Sequence, residues 1–455
     1  MSVKPTDVIL HAFDWHFDTI AERASEIARI GYKNVLISPP AKSLKGENER
    51  TKWWQRYQPQ DYRVIDSDLG NAQSLRTMVE TLREYGVGVY VDVVFNHMAN
   101  EAWLRDDLTF PSEAELTEYQ KSPEYAESVK LFGDLTKPLF TEEHFEPAFP
   151  IKNWKDRWEV QNGRIAGDSG DTGLPTLAVC NHVIEQQVEY LTALKSLGVV
   201  GFRVDAAKHM KLEHIKSVFT PELVDGMHVF GEIITDGGAN TEEYDTFLHP
   251  FLKETSLAAY DFPLFVTMYG ALEQGDSMSS LMNPYSYGNA LSGARAITFA
   301  VTHDIPNNDV FLDLVMSKEN EWLAQCHILG RGEGVPLIYA DNDESGIACN
   351  EGAPRWSDAW KSGEMEDLIT FHNLSHGQIT KELLVDDDYI IYQRGGGGIV
   401  AMNKSDSEVV VDVCWGKPMI DLNTSFEVQN RGDSLTVTIP PKGYTLLVDI
   451  KYFDC

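Results

Sequence analysis

The chain has 455 residues, 43% hydrophobic and 24% charged, which are the proportions of an ordinary folded globular protein with room for two or three domains or one barrel-sized domain with additions. Lys+Arg 38 against Asp+Glu 70 give a formal net charge of −32, spread along the chain, which repels phosphate backbones and anionic membranes and excludes nucleic acid and membrane as expected partners. Cys180, Cys326, Cys349, Cys414 and Cys455 form no CxxC pair, so neither a disulfide framework nor a thiolate zinc site is expected.

The start, "MSVKPTDVIL", lacks the long apolar core of a secretion signal, so a cytoplasmic location is expected unless a signal was removed before this sequence begins. A first apolar run, "VILHA" at Val8, is followed by Ile20, Ala24, Ile27 and Ala28 on one helical face closed by Gly31, and then by "NVLIS" at Asn34. Further runs are "VGVYVDVVF" at Val87, "GVVGFRVD" at Gly198, "HVFGEII" at His228, "LAAYDFPLF", "AITFAVTHD" at Ala296 and "VPLIYAD" at Val335. Before the fourth, Ile184, Val188, Leu191 and Leu194 form another helical face that ends at Gly198. Runs apolar on both faces and alternating with helices specify a parallel sheet, and about eight such units specify a (β/α)₈ barrel.

Two stretches break this pattern. Residues 98–171 are rich in charge, proline and aromatics with no clear period and read as an inserted domain after the third strand, on the side of a barrel where active sites form. Residues 381–455 carry alternating runs such as "YIIYQRGGGGIVAMN" and read as a C-terminal antiparallel β-sandwich domain, with "GGGG" as a hairpin turn. The barrel is then residues 1–97 and 172–380.

Four strand ends carry ionisable groups: "DVVFNH" (Asp92, Asn96, His97), "GFRVDAAKH" (Arg203, Asp205, Lys208, His209), "GEII" (Glu232) and "VTHD" (His303, Asp304). Any one alone reads as a helix cap or a solvent-facing residue. In a barrel all strand ends converge on one mouth, so Asp205, Glu232 and Asp304 are expected to share a pocket. Crowded carboxylates shift one another's pKa, so one stays protonated while its neighbour stays ionised. Arg203 and Asp205, two apart on a strand, face the same way.

These segments, in this order and spacing, resemble the four signature segments of the α-amylase family of glycoside hydrolases, and "HAFDW" and "WWQRYQPQDY" resemble its first-strand and early-loop segments. The resemblance implies retaining endo-hydrolysis of α-1,4-glucosidic bonds in starch- or glycogen-type polysaccharides. It makes Asp205 the nucleophile, Glu232 the acid/base and Asp304 the carboxylate that stabilises the transition state. Arg203 is expected to keep Asp205 ionised, while Glu232, with no such partner in its motif, keeps its proton. His97 and His303 are implied to bind hydroxyls at the cleavage point, Lys208 and His209 to contact the leaving-group side, and Tyr57 to stack on a sugar with Trp54 and Gln58 nearby. Core packing is expected for the remaining tryptophans.

The resemblance also implies a calcium ion tying the insertion to the barrel through Asn96, the His209 carbonyl and an insertion carboxylate, Asp168 or Asp171. In "GLPTLA", however, Thr176 stands where the family has an aspartate. Chloride is not expected, because Thr302 replaces the asparagine that precedes "HD" in chloride-activated relatives. Alternatives are a transglycosylase or exo-acting α-glucosidase of the same family, and a non-catalytic glucan-binding relative, which three intact carboxylates argue against. A phosphate-binding barrel enzyme lacks its glycine-rich loop here. A monomer acting on an α-glucan is expected.

Overall fold

The computed structural model describes residues 8–45, 51–341 and 355–452. Eight parallel strands close into a barrel in which each strand pairs with its neighbour in sequence: β1 (Ile9–Phe13), β2 (Asn34–Ile37), β3 (Gly88–Val94), β4 (Gly201–Asp205), β5 (His228–Gly231), β6 (Ala258–Tyr260), β7 (Ala296–Phe299) and β8 (Val335–Asp341), with β8 returning to β1. β1, β2, β4, β6, β7 and β8 are buried along their whole length, because side chains on one face fill the barrel and those on the other meet the helices.

The helices follow the apolar spacing, with instructive departures. The first face is split into Phe17–Glu22 and Ala24–Ile30 by Arg23, whose guanidinium lies over the rings of Trp15 and Trp360. Gly31, at φ 108°, ends the second piece in the left-handed conformation that favours glycine. The helix Asn181–Leu197 ends likewise at Gly198, but its buried face runs through Val183, Gln187, Tyr190, Leu191 and Leu194, with Ile184 and Val188 at the margin. Gln187 is fully buried because its amide donates to the Phe95 carbonyl at 3.0 Å and its oxygen meets the His214 ring at 2.7 Å.

The sixth run, "LAAYDFPLF", is strand only at Ala258–Tyr260. Asp261 caps the helix Phe262–Glu273, accepting from Leu264 N at 3.0 Å, so "FPLF" is helical.

The chain leaves the barrel at His97 and rejoins it at Thr176, where these two residues pair as an isolated antiparallel bridge. Between them lie the helices Glu113–Lys121, Pro123–Val129 and Arg157–Asn162. The first starts with a reciprocal cap between Ser112 and Glu115.

At the C-terminus, one sheet of six strands and one of three pack together, all antiparallel. Alternation divides the strands Tyr389–Arg394 and Gly398–Asn403 between two cores: Ile391, Ile399 and Ala401 face the smaller sheet, while Ile390, Tyr392, Val400 and Met402 join the barrel core. Gly395 (φ 52°) turns the hairpin between them. Cys180, Cys326 and Cys414 are free thiols; Cys349 and Cys455 lie outside the described residues. Among the described residues no helix is long and apolar enough to cross a membrane.

Candidate active site

Strand register brings the charged residues together. β3 and β4 pair Asp92 with Arg203 and Val94 with Asp205, and β4 and β5 pair Val204 with Gly231, so Glu232 follows at the level of Asp205. Arg203 is fully buried in the barrel. Its Nη1 donates to both oxygens of Asp92 at 2.8 Å and to Asp205 Oδ1 at 2.8 Å, and its Nη2 donates to Glu232 Oε1. Arg203 thus grips Asp205, but Glu232, expected to keep its proton for want of such a partner, is held by the same guanidinium. One planar guanidinium has enough donors for three carboxyls that no sequence spacing links.

The proton on Glu232 has another origin. Burial pushes its carboxyl up against the pull of Arg203, and both the Asp304 charge and a hydrogen bond to Asp304 push it further. The same hydrogen bond acts on Asp304 in the opposite sense, which favours the proton on Glu232 over Asp304. Burial also raises Asp205, opposed first by Arg203, and it pushes Asp92 up to about 8. For Arg203 itself, burial works against the charge, but Asp92, Glu232 and Asp205 outweigh it and hold the guanidinium protonated. The backbone of Glu232 is fixed by Glu232 N→Val204 O at 3.0 Å and Lys208 N→Glu232 O at 3.2 Å. Between the two catalytic candidates Ala206 adopts φ 47°, a strained left-handed conformation, and its N–H donates to Glu232 Oε2 at 3.3 Å.

The His303 ring is sandwiched between Phe13 (centroids 4.8 Å apart) and Tyr57 (5.2 Å, planes 7° apart), with Nε2 3.4 Å from Asp304 Oδ2. Burial pushes His303 down to about 3, so its imidazole is neutral. The Tyr57 hydroxyl donates to Asp92 Oδ2 at 3.0 Å. His97 Nε2 donates to the Tyr57 carbonyl at 2.9 Å, which leaves Nδ1 to accept from Asn96 Nδ2 at 3.3 Å; both ring nitrogens are thus engaged. Lys208 Nζ pairs with Glu243 at 2.9 Å over the Phe247 ring. His209 is half-buried, with Nδ1 on the Val160 carbonyl at 3.1 Å.

Three neighbours were not read from the sequence. Asp92 appeared only as part of a motif, yet it anchors both Arg203 and Tyr57. Trp53, rather than Trp54, packs against Tyr57 and His303 at 6.2 and 5.9 Å, while Trp54 points outward, 41% exposed. Trp154 is not a core residue: it is 46% exposed and lies edge-on to His209 at 5.8 Å. The aromatic run "NWKDRW" beside a charged loop was the available signal. Gln58 is turned toward the insertion, its Oε1 accepting from Asn100 N at 3.0 Å.

The residues present do not fit the expected calcium ion. Asp168 is exposed and its Oδ1 accepts from Gly170 N and Asp171 N within its own turn. Asp171 is held by Asn100 Nδ2 and Gly173 N. Among the described residues no three His, Cys, Asp or Glu side chains converge as a metal-holding group. Spacing is retained at Asn96 and His209, while the carboxylates of Asp168 and Asp171 are engaged within the insertion and its edge.

A buried acid sharing a proton with one carboxylate, beside a second carboxylate held by arginine at a barrel mouth, is the arrangement of a glycoside hydrolase. The family description "Alpha amylase, catalytic domain" matches residues 16–308. An alpha-amylase of Aeromonas hydrophila is 46% identical over 402 residues, covering 88% of this chain and 85% of that protein. The chain belongs to the alpha-amylase family. The fold is also that of a variant of alpha-amylase I from Eisenia fetida solved with maltohexaose (TM-score 0.78, 20% identity, 98% of each chain) and of a cyclomaltodextrin glucanotransferase (TM-score 0.72, 19% identity, 97% of this chain and 99% of that one).

Proposed function

We infer that the enzyme hydrolyses internal α-1,4-glucosidic bonds of starch- or glycogen-type polysaccharides with retention of configuration. The observation that carries this reading is the single guanidinium of Arg203, which grips Asp205 and Glu232 on adjacent nitrogens, while burial and the Asp304 charge push the Glu232 carboxyl upward. Sharing one guanidinium supports a carboxyl separation of about 5–5.5 Å, as in retaining enzymes, rather than the about 6.5–9.5 Å that admits a water.

Glu232 delivers its proton to the glycosidic oxygen as the bond to the anomeric carbon breaks, and Asp205 forms a bond to that carbon on the opposite face. The β-linked glycosyl ester is then attacked by water, which gives its proton to Glu232 as Asp205 leaves. Two inversions leave the α-anomer, and Glu232 regains its proton. Asp304 stabilises the positive charge of the oxocarbenium-like transition state. The ring of Tyr57, backed by His303, is a rigid apolar platform for a sugar face.

Proton NMR of sugar released from soluble starch tests the stereochemistry. The α-anomer should appear first and mutarotate later; early β-anomer means that Asp205 is not a nucleophile. A product time course with mixed oligosaccharides before glucose supports internal cleavage, and glucose from the outset refutes it.

A further inference from the structure

We propose that the insertion is fastened to the barrel without a metal ion, and that Thr176 is the positioning residue that does this by a direct hydrogen bond. The chain exits and re-enters the barrel side by side: His97 pairs with Thr176, Met98 N donates to Pro175 O at 3.0 Å, and Leu177 N donates to Asn96 O at 2.9 Å. From this bridge Thr176 reaches two separate parts of the insertion. Its hydroxyl donates to the Gly163 carbonyl at 2.8 Å, and its own carbonyl accepts from Glu146 N at 2.9 Å.

The hydroxyl is what makes the metal unnecessary. A carboxylate at position 176 would be an acceptor facing the Gly163 carbonyl, a second acceptor, and two such groups come together only with a cation between them. Threonine supplies a hydrogen and closes the contact itself. The residue is only 3% exposed, so water cannot substitute for the missing partner, and leaving a buried acceptor unmatched carries its full desolvation cost. The rest of the junction is also closed by protein groups: His209 Nδ1 on Val160 O at 3.1 Å, Gln161 Nε2 on Met210 O at 3.0 Å, and Lys211 Nζ on Glu146 at 2.5 Å.

This fastening reaches the site. His97, the partner of Thr176 in the bridge, holds the Tyr57 carbonyl through Nε2, and Tyr57 in turn holds Asp92. A shift of the insertion at Thr176 therefore moves the platform of the mouth without touching a reacting atom.

The test uses the full chain and reads the melting temperature and bound metal, neither of which depends on the substrate, so its failure is distinguishable from failure of the glucan-hydrolase reading. After thorough chelation the wild-type melting temperature and kcat/KM should be unchanged, with no stoichiometric calcium by elemental analysis. Thr176→Val should lower both the melting temperature and kcat, with no recovery on adding calcium, whereas Thr176→Ser, which keeps the hydroxyl, should restore most of each. Thr176→Asp should be destabilised in chelator and recover progressively as calcium is raised. Stoichiometric calcium in the wild type with a chelation-induced fall in melting temperature overturns the proposal. So does a Thr176→Val protein as stable and active as the wild type, or a Thr176→Asp protein that is unimpaired in chelator.

Discussion

Removing the guanidinium of Arg203 by Arg203→Met isolates what it does. The substitution keeps an unbranched apolar stem in the barrel but leaves Asp92, Asp205 and Glu232 buried with no cation among them. Deleting one partner of a buried ion pair costs about 3–5 kcal/mol, and the protein limits the loss by protonating the orphaned carboxyls. Arg203 lowers the pKa of all three, so without it each rises. A carboxyl whose folded pKa lies above its unfolded value contributes stability that is complete below the unfolded value and is lost as pH rises toward the folded one. With one additional proton held in the folded state, the variant should lose about 1.4 kcal/mol per pH unit more than the wild type, or about 3 kcal/mol between pH 5 and 7. Urea denaturation at the two pH values, followed by tryptophan fluorescence, measures this. Activity on starch at pH 7 should fall by about 10³-fold or more, because a protonated Asp205 is no nucleophile. Arg203→Lys restores a charge but not a fork, and should regain the wild-type pH slope without full activity. An Arg203→Met protein with the same stability difference from wild type at both pH values, or with more than about a tenth of its activity, refutes the reasoning.

Asp205→Asn and Glu232→Gln should each lower kcat on starch by about 10³-fold or more while circular dichroism and the melting temperature stay near wild type, because the replacements are isosteric and burial already disfavours the charge of each carboxyl, which offsets the lost pairing with Arg203; substantial activity in either folded variant removes that residue from its role. Asp304→Asn should move the alkaline limb of the residual pH–rate profile to lower pH, since the Asp304 charge raises the pKa of Glu232. A limb that stays in place or moves up means that Asp304 does not hold the proton on Glu232.

Much of the fold was legible because burial on both strand faces leaves continuous apolar runs between helical faces. What the sequence hid were local polar contacts that override periodicity. Asp261 ends β6 after three residues by capping a helix, and Gln187 sits in the most buried face of its helix because two partners satisfy it. The insertion has no apolar period, yet its Ser112-to-Glu115 capping box is a helix-start signal legible in the sequence.

The identities of the three carboxylates were equally legible, since Asp205 closes a strand, Glu232 follows one directly and Asp304 opens the short helix in the loop after β7. The distribution of protons among them was not, because it is set by contacts between strands. If Asp92, Asp205, Glu232 and Asp304 were all ionised around one Arg203, with His303 neutral, the buried cluster would carry a net charge of −3, which burial strongly disfavours. Burial pushes all of these carboxyls upward, Asp92 to about 8, and the Asp304 charge pushes Glu232 further still. Arg203 opposes that rise at Asp205, and Arg203 together with the Glu232 hydrogen bond opposes it at Asp304, which favours negative charge on these two where the sugar becomes cationic. The same crowding that keeps an acid protonated thus leaves the mouth complementary to the charge of the transition state.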